Sequence, residues 1–206
     1  MDILKSLNKQ HPPNIIPLIE TLDLSMGKCI VLPERISLDD ELKYLAPRLW
    51  QNVNRLSHGL INGLSFLHDN LISHLDIKPS NLVHTKDFEL QIIDFDVAVQ
   101  LESEDEQIDE VYGTKGWMAP EIEQLKLDGY QKTYSPIKAD RWSCGLVLYR
   151  FAKKCSTSIF EDFATKLLAT DPNRRPQLSQ WKNSGRGLKR ISSSHRESKR
   201  LKTATE

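Results

Sequence analysis

A chain of 206 residues has room for one ordinary globular domain. Its 28 Lys and Arg balance 28 Asp and Glu, which excludes a uniformly charged surface for nucleic acid, and 39% hydrophobic residues exclude a disordered chain. No apolar run approaches the roughly 20 residues of a membrane-spanning helix, and the start Met1-Asp2-Ile3-Leu4-Lys5 lacks the pattern of a secretory signal.

In chain order, Ile15 to Glu20 and Lys28 to Pro33 are short apolar runs joined by a polar stretch with Gly27, which predicts a hairpin. Ser37 with Asp40 three residues on is a capping box that opens a helix. Val53, Leu56, Leu60, Leu64 and Leu67 recur every three or four residues, the stripe of a longer helix. Leu82 to His84 and Glu89 to Ile93 predict a second hairpin turning at Lys86-Asp87. Asp140 is placed as the cap of an apolar helix through Trp142, Leu146, Tyr149 and Phe151. Phe160 to Leu168 predicts a further helix that stops before Asp171-Pro172. The expected fold class is α+β, mainly helical, with two small hairpins and no β-α-β alternation.

Charge is unevenly spread. Residues 182–206 hold eight basic residues against Glu197 and Glu206, a net +6, which leaves residues 1–181 at −6. That segment is rich in Ser and Thr, has no aromatic residue, and is expected to be a disordered basic tail. Lys189-Arg190 and Lys199-Arg200-Leu201-Lys202 fit a nuclear import signal, an arm that meets nucleic acid, or a solvated tail. Cys29, Cys144 and Cys155 are odd in number, far apart and match no zinc spacing, so reduced thiols and an intracellular setting, cytoplasmic or nuclear, are expected.

The residues that carry chemistry sit in His74-Leu75-Asp76-Ile77-Lys78-Pro79-Ser80-Asn81, followed by Asp94-Phe95-Asp96 and Ala119-Pro120-Glu121. Asp140-Arg141-Trp142-Ser143-Cys144-Gly145 and Asp171-Pro172-Asn173-Arg174-Arg175-Pro176 follow, and His11-Pro12-Pro13-Asn14-Ile15-Ile16 precedes them. In this order and spacing the six motifs, covering residues 3–181, resemble the large lobe of eukaryotic protein kinases, with a remnant β-hairpin of the small lobe. Lys78 two residues after Asp76 is similar to Ser/Thr kinases rather than tyrosine kinases.

The resemblance implies magnesium and ATP as cofactors, ATP and a protein substrate as partners, and a role for each matching residue. Asp76 would accept the substrate hydroxyl's proton, Lys78 would stabilise the γ-phosphate, and Thr114 would orient both. Asn81 and Asp94 would hold the metal, since hard cations take oxygen ligands. Val83 would floor the adenine pocket, with its hinge at Leu32-Pro33-Glu34. His74, Glu121, Asp140 and Arg175 would be structural supports, Glu121 and Arg175 as an ion pair and Asp140 as the holder of the catalytic-loop backbone. His11, His58, His68 and His84 show no metal-ligand pattern.

Four departures stand beside these matches. No Gly-rich loop or V-A-I-K strand precedes the first motif, so residues 1–181 read as an N-terminally truncated kinase domain, weak or inactive alone. Leu75 replaces the Arg that would read an activation-segment phosphate. The activation segment itself carries six acids within nine residues, Glu102 to Glu110, which read as a solvated loop. Asp96 stands where Gly is usual, at an expected backbone cost. The 25 residues between Gly145 and Asp171 are too few for the usual helices, so a substrate-docking helix is expected to be missing. Two readings stay open: a Ser/Thr kinase lobe that transfers phosphate when completed, or a pseudokinase scaffold without catalysis.

Overall fold

The computed structural model describes residues 2–25, 27–43, 47–127, 132–155 and 159–183, and the expected disordered tail lies, from residue 184 onward, outside them. Helix α1 (Asp2–Asn8) buries Leu4 and Leu7 and leads to the hairpin of β1 (Glu20–Leu24) and β2 (Gly27–Val31). Next come β3 (Ile36–Ser37), α2 (Leu38–Lys43), α3 (Pro47–Gln51) and α4 (Val53–Asp69). The middle holds β4 (Ile72–Ser73), β5 (Leu82–His84), β6 (Leu90–Ile92) and β7 (Val99–Gln100). Helices α5 (Pro120–Leu127), α6 (Pro136–Lys154), α7 (Glu161–Leu167) and α8 (Ser179–Asn183) complete the order. No helix among the described residues is long and apolar enough to cross a membrane.

The first hairpin sits further along the chain than its apolar pattern predicts. Pro17 has no N–H for a ladder, and the Leu18 N–H goes to Asn8 Oδ1 at 3.1 Å. Pairing therefore begins with the Ile19 N–H on the Val31 carbonyl at 2.9 Å and runs from Glu20↔Val31 to Leu24↔Gly27. Ile15 and Ile16 are both buried and bridge to Ile92 of β6 instead. The hairpin they leave is poorly covered, with Ile19 61% and Leu24 52% exposed.

Helix α4 follows its stripe, since Val53, Leu56, Leu60, Leu64 and Leu67 are all buried. Each such Leu contributes about 1.5–3 kcal/mol by leaving water. Its other face is shaped by two glycines. A Cβ on Gly59 would stand 2.8 Å from Leu90 Cβ, and one on Gly63 would stand 2.9 Å from the Asn14 carbonyl. The missing side chains let β6 and the 13–14 turn lie directly on the helix. The Asn14 side chain then donates to the Leu90 carbonyl at 2.8 Å, tying the N-terminal turn to the helical body.

The sheet of β3, β5 and β6 is antiparallel, with Ser37↔Val83 and Leu82↔Ile92 opposite each other, and β4 pairs separately with β7. Helix α6 runs through the centre of the body with most of its residues buried. Its cap is Ser135, which accepts from the Lys138 N–H and is followed by Pro136 at the first helical position. The cap assigned above to Asp140 is thus corrected, because helix formation starts a full turn earlier at the Ser-Pro step. Asp140 lies inside the helix and fully buried, where its carboxylate has another task.

Candidate active site

The loop between β4 and β5 is held from beneath by Asp140. Its Oδ2 accepts from Ser73 Oγ at 2.7 Å and the His74 N–H at 2.7 Å, and lies 3.2 Å from His68 Nε2. Its Oδ1 accepts from the Leu75 N–H at 2.8 Å. Burial alone would raise the pKa of this carboxyl, yet the His68 hydrogen bond and the charges and N–H groups around it hold the carboxyl below its ordinary value. Two successive N–H groups pinned to one carboxylate fix the path of the chain into Asp76.

Leu75 takes that path at φ 65°, in the left-handed region. Its side chain is buried with Met118, Ala119 and Ile122, so an apolar contact fastens this loop to the segment before α5. Gly113 completes the fit, at φ 109° and with space for no Cβ, since one would stand 2.8 Å from the Leu75 carbonyl. His74 turns inward, with Nε2 2.9 Å from the Ile93 carbonyl and Nδ1 accepting from the Asp76 N–H at 3.3 Å. Those partners place the ring proton on Nε2. Phe95 meets the same ring edge-on, centroids 5.1 Å apart.

Above this base three side chains close a triangle. Lys78 Nζ donates to Asp76 Oδ2 at 2.6 Å and to Thr114 Oγ1 at 2.7 Å, and Thr114 Oγ1 donates to Asp76 Oδ1 at 2.7 Å. Asn81 Nδ2 adds bonds to the Asp76 carbonyl at 2.9 Å and to Oδ2 at 3.0 Å. Partial burial pushes the Asp76 pKa up, but Lys78, Thr114 and Asn81 together bring it below the ordinary value.

The protein kinase domain model matches residues 1–161 of this sequence. The chain belongs to the protein kinase family. Among curated relatives, the phosphorylase b kinase gamma catalytic chain, liver/testis isoform, of Bos taurus is 31% identical over 139 residues, 66% of this chain and 34% of its own. Serine/threonine-protein kinase par-4 of Caenorhabditis elegans is 31% identical over 211 residues, covering 85% of this chain and 33% of its own. Serine/threonine-protein kinase cds1 of Schizosaccharomyces pombe is 32% identical over 152 residues, 72% of this chain and 32% of its own. The chain thus spans about a third of the length of the curated relatives it matches. Its fold is the mixed α+β architecture of a kinase large lobe with part of a small lobe, and the domain is Ser/Thr-kinase-like.

The kinase domain brings Asp76, Lys78, Asn81 and Thr114 into direct contact. Asp94 is reached through the backbone, as the Ile93 N–H before it donates to the Asn81 carbonyl at 3.0 Å. Asp94 is exposed and stands at φ 65°, whereas Asp96 does not have a positive φ. The strain expected at Asp96 is therefore found two residues earlier, at Asp94, because the loop turns there. Among the described residues no three His, Cys, Asp or Glu side chains form a metal centre. Asn81 commits its nitrogen to Asp76 and keeps Oδ1, so with Asp94 the loop offers two protein oxygens. That set fits magnesium, which takes its other ligands from water and phosphates.

Val83 is buried and lies opposite Ser37. Leu32 packs against the main core and Glu34 is exposed, both in the linker between β2 and β3. Arg35, unmarked by any motif, ties that linker to β6 by donating to Gln91 Oε1 at 2.7 Å. Glu121 and Arg175 form a two-pronged pair at 2.6 and 2.7 Å, the guanidinium fully buried.

Sequence reasoning missed the partners of the acidic segment. The loop is largely exposed, yet Glu104 pairs with Arg141 and accepts from Gln177 Nε2 at 3.2 Å, while Lys138 reaches Asp105 at 3.2 Å. Ile108 and Tyr134 exchange both backbone hydrogen bonds, at 3.0 and 2.9 Å. The wholly solvated reading is corrected: two of the six acids bind α6 or its flank. Bases at Lys138 and Arg141, three apart and one turn into α6, were the available signal.

Proposed function

We propose that this domain transfers the γ-phosphoryl group of ATP to serine or threonine hydroxyls of proteins, with Asp76, Lys78 and Thr114 as catalytic residues. The closed triangle of those three side chains carries the reading. A carboxylate offers about four acceptor positions. Thr114 takes one on Oδ1 and Lys78 and Asn81 take two on Oδ2, which leaves one on Oδ1 for a substrate hydroxyl. Lys78 likewise commits two of its three N–H donors to Asp76 and Thr114 and keeps one for a phosphoryl oxygen.

A depressed pKa makes Asp76 a weak base. Phosphoryl transfer has a loose transition state in which positioning and charge stabilisation dominate, so a weak but fixed acceptor suffices. Asn81 Oδ1 and the Asp94 carboxylate would hold magnesium, which when bound neutralises charge on the phosphates. Val83 would meet the adenine from the sheet side and the 32–34 linker from the other. His74, Asp140, Glu121 and Arg175 support this geometry without touching substrate.

Two measurements on the full chain test the proposal. Mg-ATP at about 100 times its dissociation constant should add about 2.7 kcal/mol of stability, a thermal shift that Asp94→Asn abolishes. Transfer from radiolabelled ATP to a mixed Ser/Thr peptide pool should fall about 10²–10⁴-fold in Asp76→Asn. A folded chain with neither shift nor transfer would remove catalysis by this chain alone, and the same result with a kinase small lobe supplied in trans would leave the scaffold reading in its place.

A further inference from the structure

Beside the catalytic loop lies a groove of about 420 Å³ that the mechanism above does not use. It opens at Pro79, three residues past Asp76, and at Trp117, three residues past Thr114. Leu42, Trp50, Trp117, Val147 and Phe151 give it an apolar floor drawn from α2, α3, the segment before α5 and α6. Along one side the C-terminal end of α6 sets Arg150, Lys153 and Lys154, all exposed.

The charge of that side is positive and only partly cancelled. Lys153 is paired with Glu161 at 2.8 Å, while Arg150 and Lys154 have no ion pair among the described residues. Asp39, the acid of the opposite side, already holds Lys43 at 2.7 Å. Arg150 Cζ stands over the Trp117 ring, 3.9 Å from its centroid, which holds the guanidinium at the groove's mouth with N–H donors available to an incoming carboxylate. Trp117 is itself anchored, since its carbonyl accepts from Ser143 Oγ at 2.8 Å.

We propose that this groove takes the substrate polypeptide next to the phosphoacceptor and selects segments in which an acidic residue adjoins a bulky apolar one, with Arg150 as the specificity-determining residue. The proposal rests on Asp76 being where the acceptor hydroxyl docks. The apolar side chain fills the Trp50–Trp117 floor and the acid meets Arg150 and Lys154. The chain's own residues 182–206 do not fit as the occupant, because their net charge of +6 repels the same rim.

The test is fluorescence anisotropy of the full chain with a labelled peptide, Gly-Asp-Asp-Phe-Ser-Phe-Asp-Asp-Gly, against the same peptide with Lys in place of Asp. The acidic peptide should bind roughly tenfold or more tightly, less so in high salt, and Arg150→Glu and Lys154→Glu should each reduce or reverse the preference. Equal binding of the two peptides, or a preference unchanged in both folded variants, overturns the proposal. So does loss of peptide binding as the protein is concentrated, which would make a second copy the occupant. Asp76→Asn separates the two levels: it should keep the peptide preference while losing transfer. Transfer without any acidic preference sinks this groove alone, whereas preference without transfer in the unmutated chain sinks only the catalytic assignment.

Discussion

The catalytic loop and the first hairpin are built differently. On the catalytic-loop side Asp76, Lys78, Asn81 and Thr114 hold one another, and Asp140 gathers four donors below them. On the side of the first hairpin, β1 and β2 pair with no other strand among the described residues and show Ile19 and Leu24 to solvent, and Glu34 and Asp94 are exposed. Geometry on the first side is over-determined by buried polar bonds, which lose much when one partner goes. The second side rests on backbone pairing and leaves its side chains little to lose. The comparison teaches where the chain keeps its precision: around the Asp76 carboxylate, the group that the proposed transfer needs held in place beforehand.

The strongest way to break this contrast is Glu121→Ala. It strands a fully buried guanidinium, so urea denaturation should show a loss of about 3–5 kcal/mol. Asp140→Asn comes next. An amide nitrogen would face either the Leu75 N–H or the Ser73, His74 and His68 donors, costing about 2–4 kcal/mol by the same measurement. A cost under about 0.5 kcal/mol would mean that the loop path is set elsewhere.

Acid sharpens the contrast more gently. Asp76 and Asp140 both have pKa values below the ordinary one in the folded chain. Their contribution is therefore full above the unfolded pKa near 4 and is lost as pH falls through the depressed folded values. The stability gap between the unmutated chain and Asp76→Asn should be constant near neutrality and narrow below about pH 4. A gap that stays flat down to pH 3 would contradict the depressed value. The smallest effect belongs to the hairpin, where Ile19→Lys or Leu24→Lys should change the unfolding free energy by no more than about 0.5 kcal/mol.

How much of this was legible in the sequence depended on where the partners lie along the chain. Residues 74–81 carry most of the Asp76 hydrogen-bond network within eight positions, so Asp76, Lys78 and Asn81 stood together already in the sequence. The stripe from Val53 to Leu67 has a helical period and was equally plain. Asp140 was read two ways, as a helix cap from its place ahead of an apolar run and, through the resemblance, as the holder of the 74–75 backbone, and only the Ser135-Pro136 step tells the two apart. His68 and Ser73 meet Asp140 across 72 and 67 positions, a convergence that no local pattern announces. Asp96 misled because its residue type, not the turn around Asp94, was used to locate strain. The first hairpin slid because Ile15 and Ile16 had a better burial against Ile92 than a ladder beginning at Pro17 could offer.

The tie between the 101–111 segment and α6 has a consequence of its own. Glu104 and Asp105 reach Arg141 and Lys138 with charges that are written into the gene. A carboxylate side chain is neither installed by an upstream enzyme nor stripped by a phosphatase. A segment anchored in this way needs no added phosphate to hold it against α6.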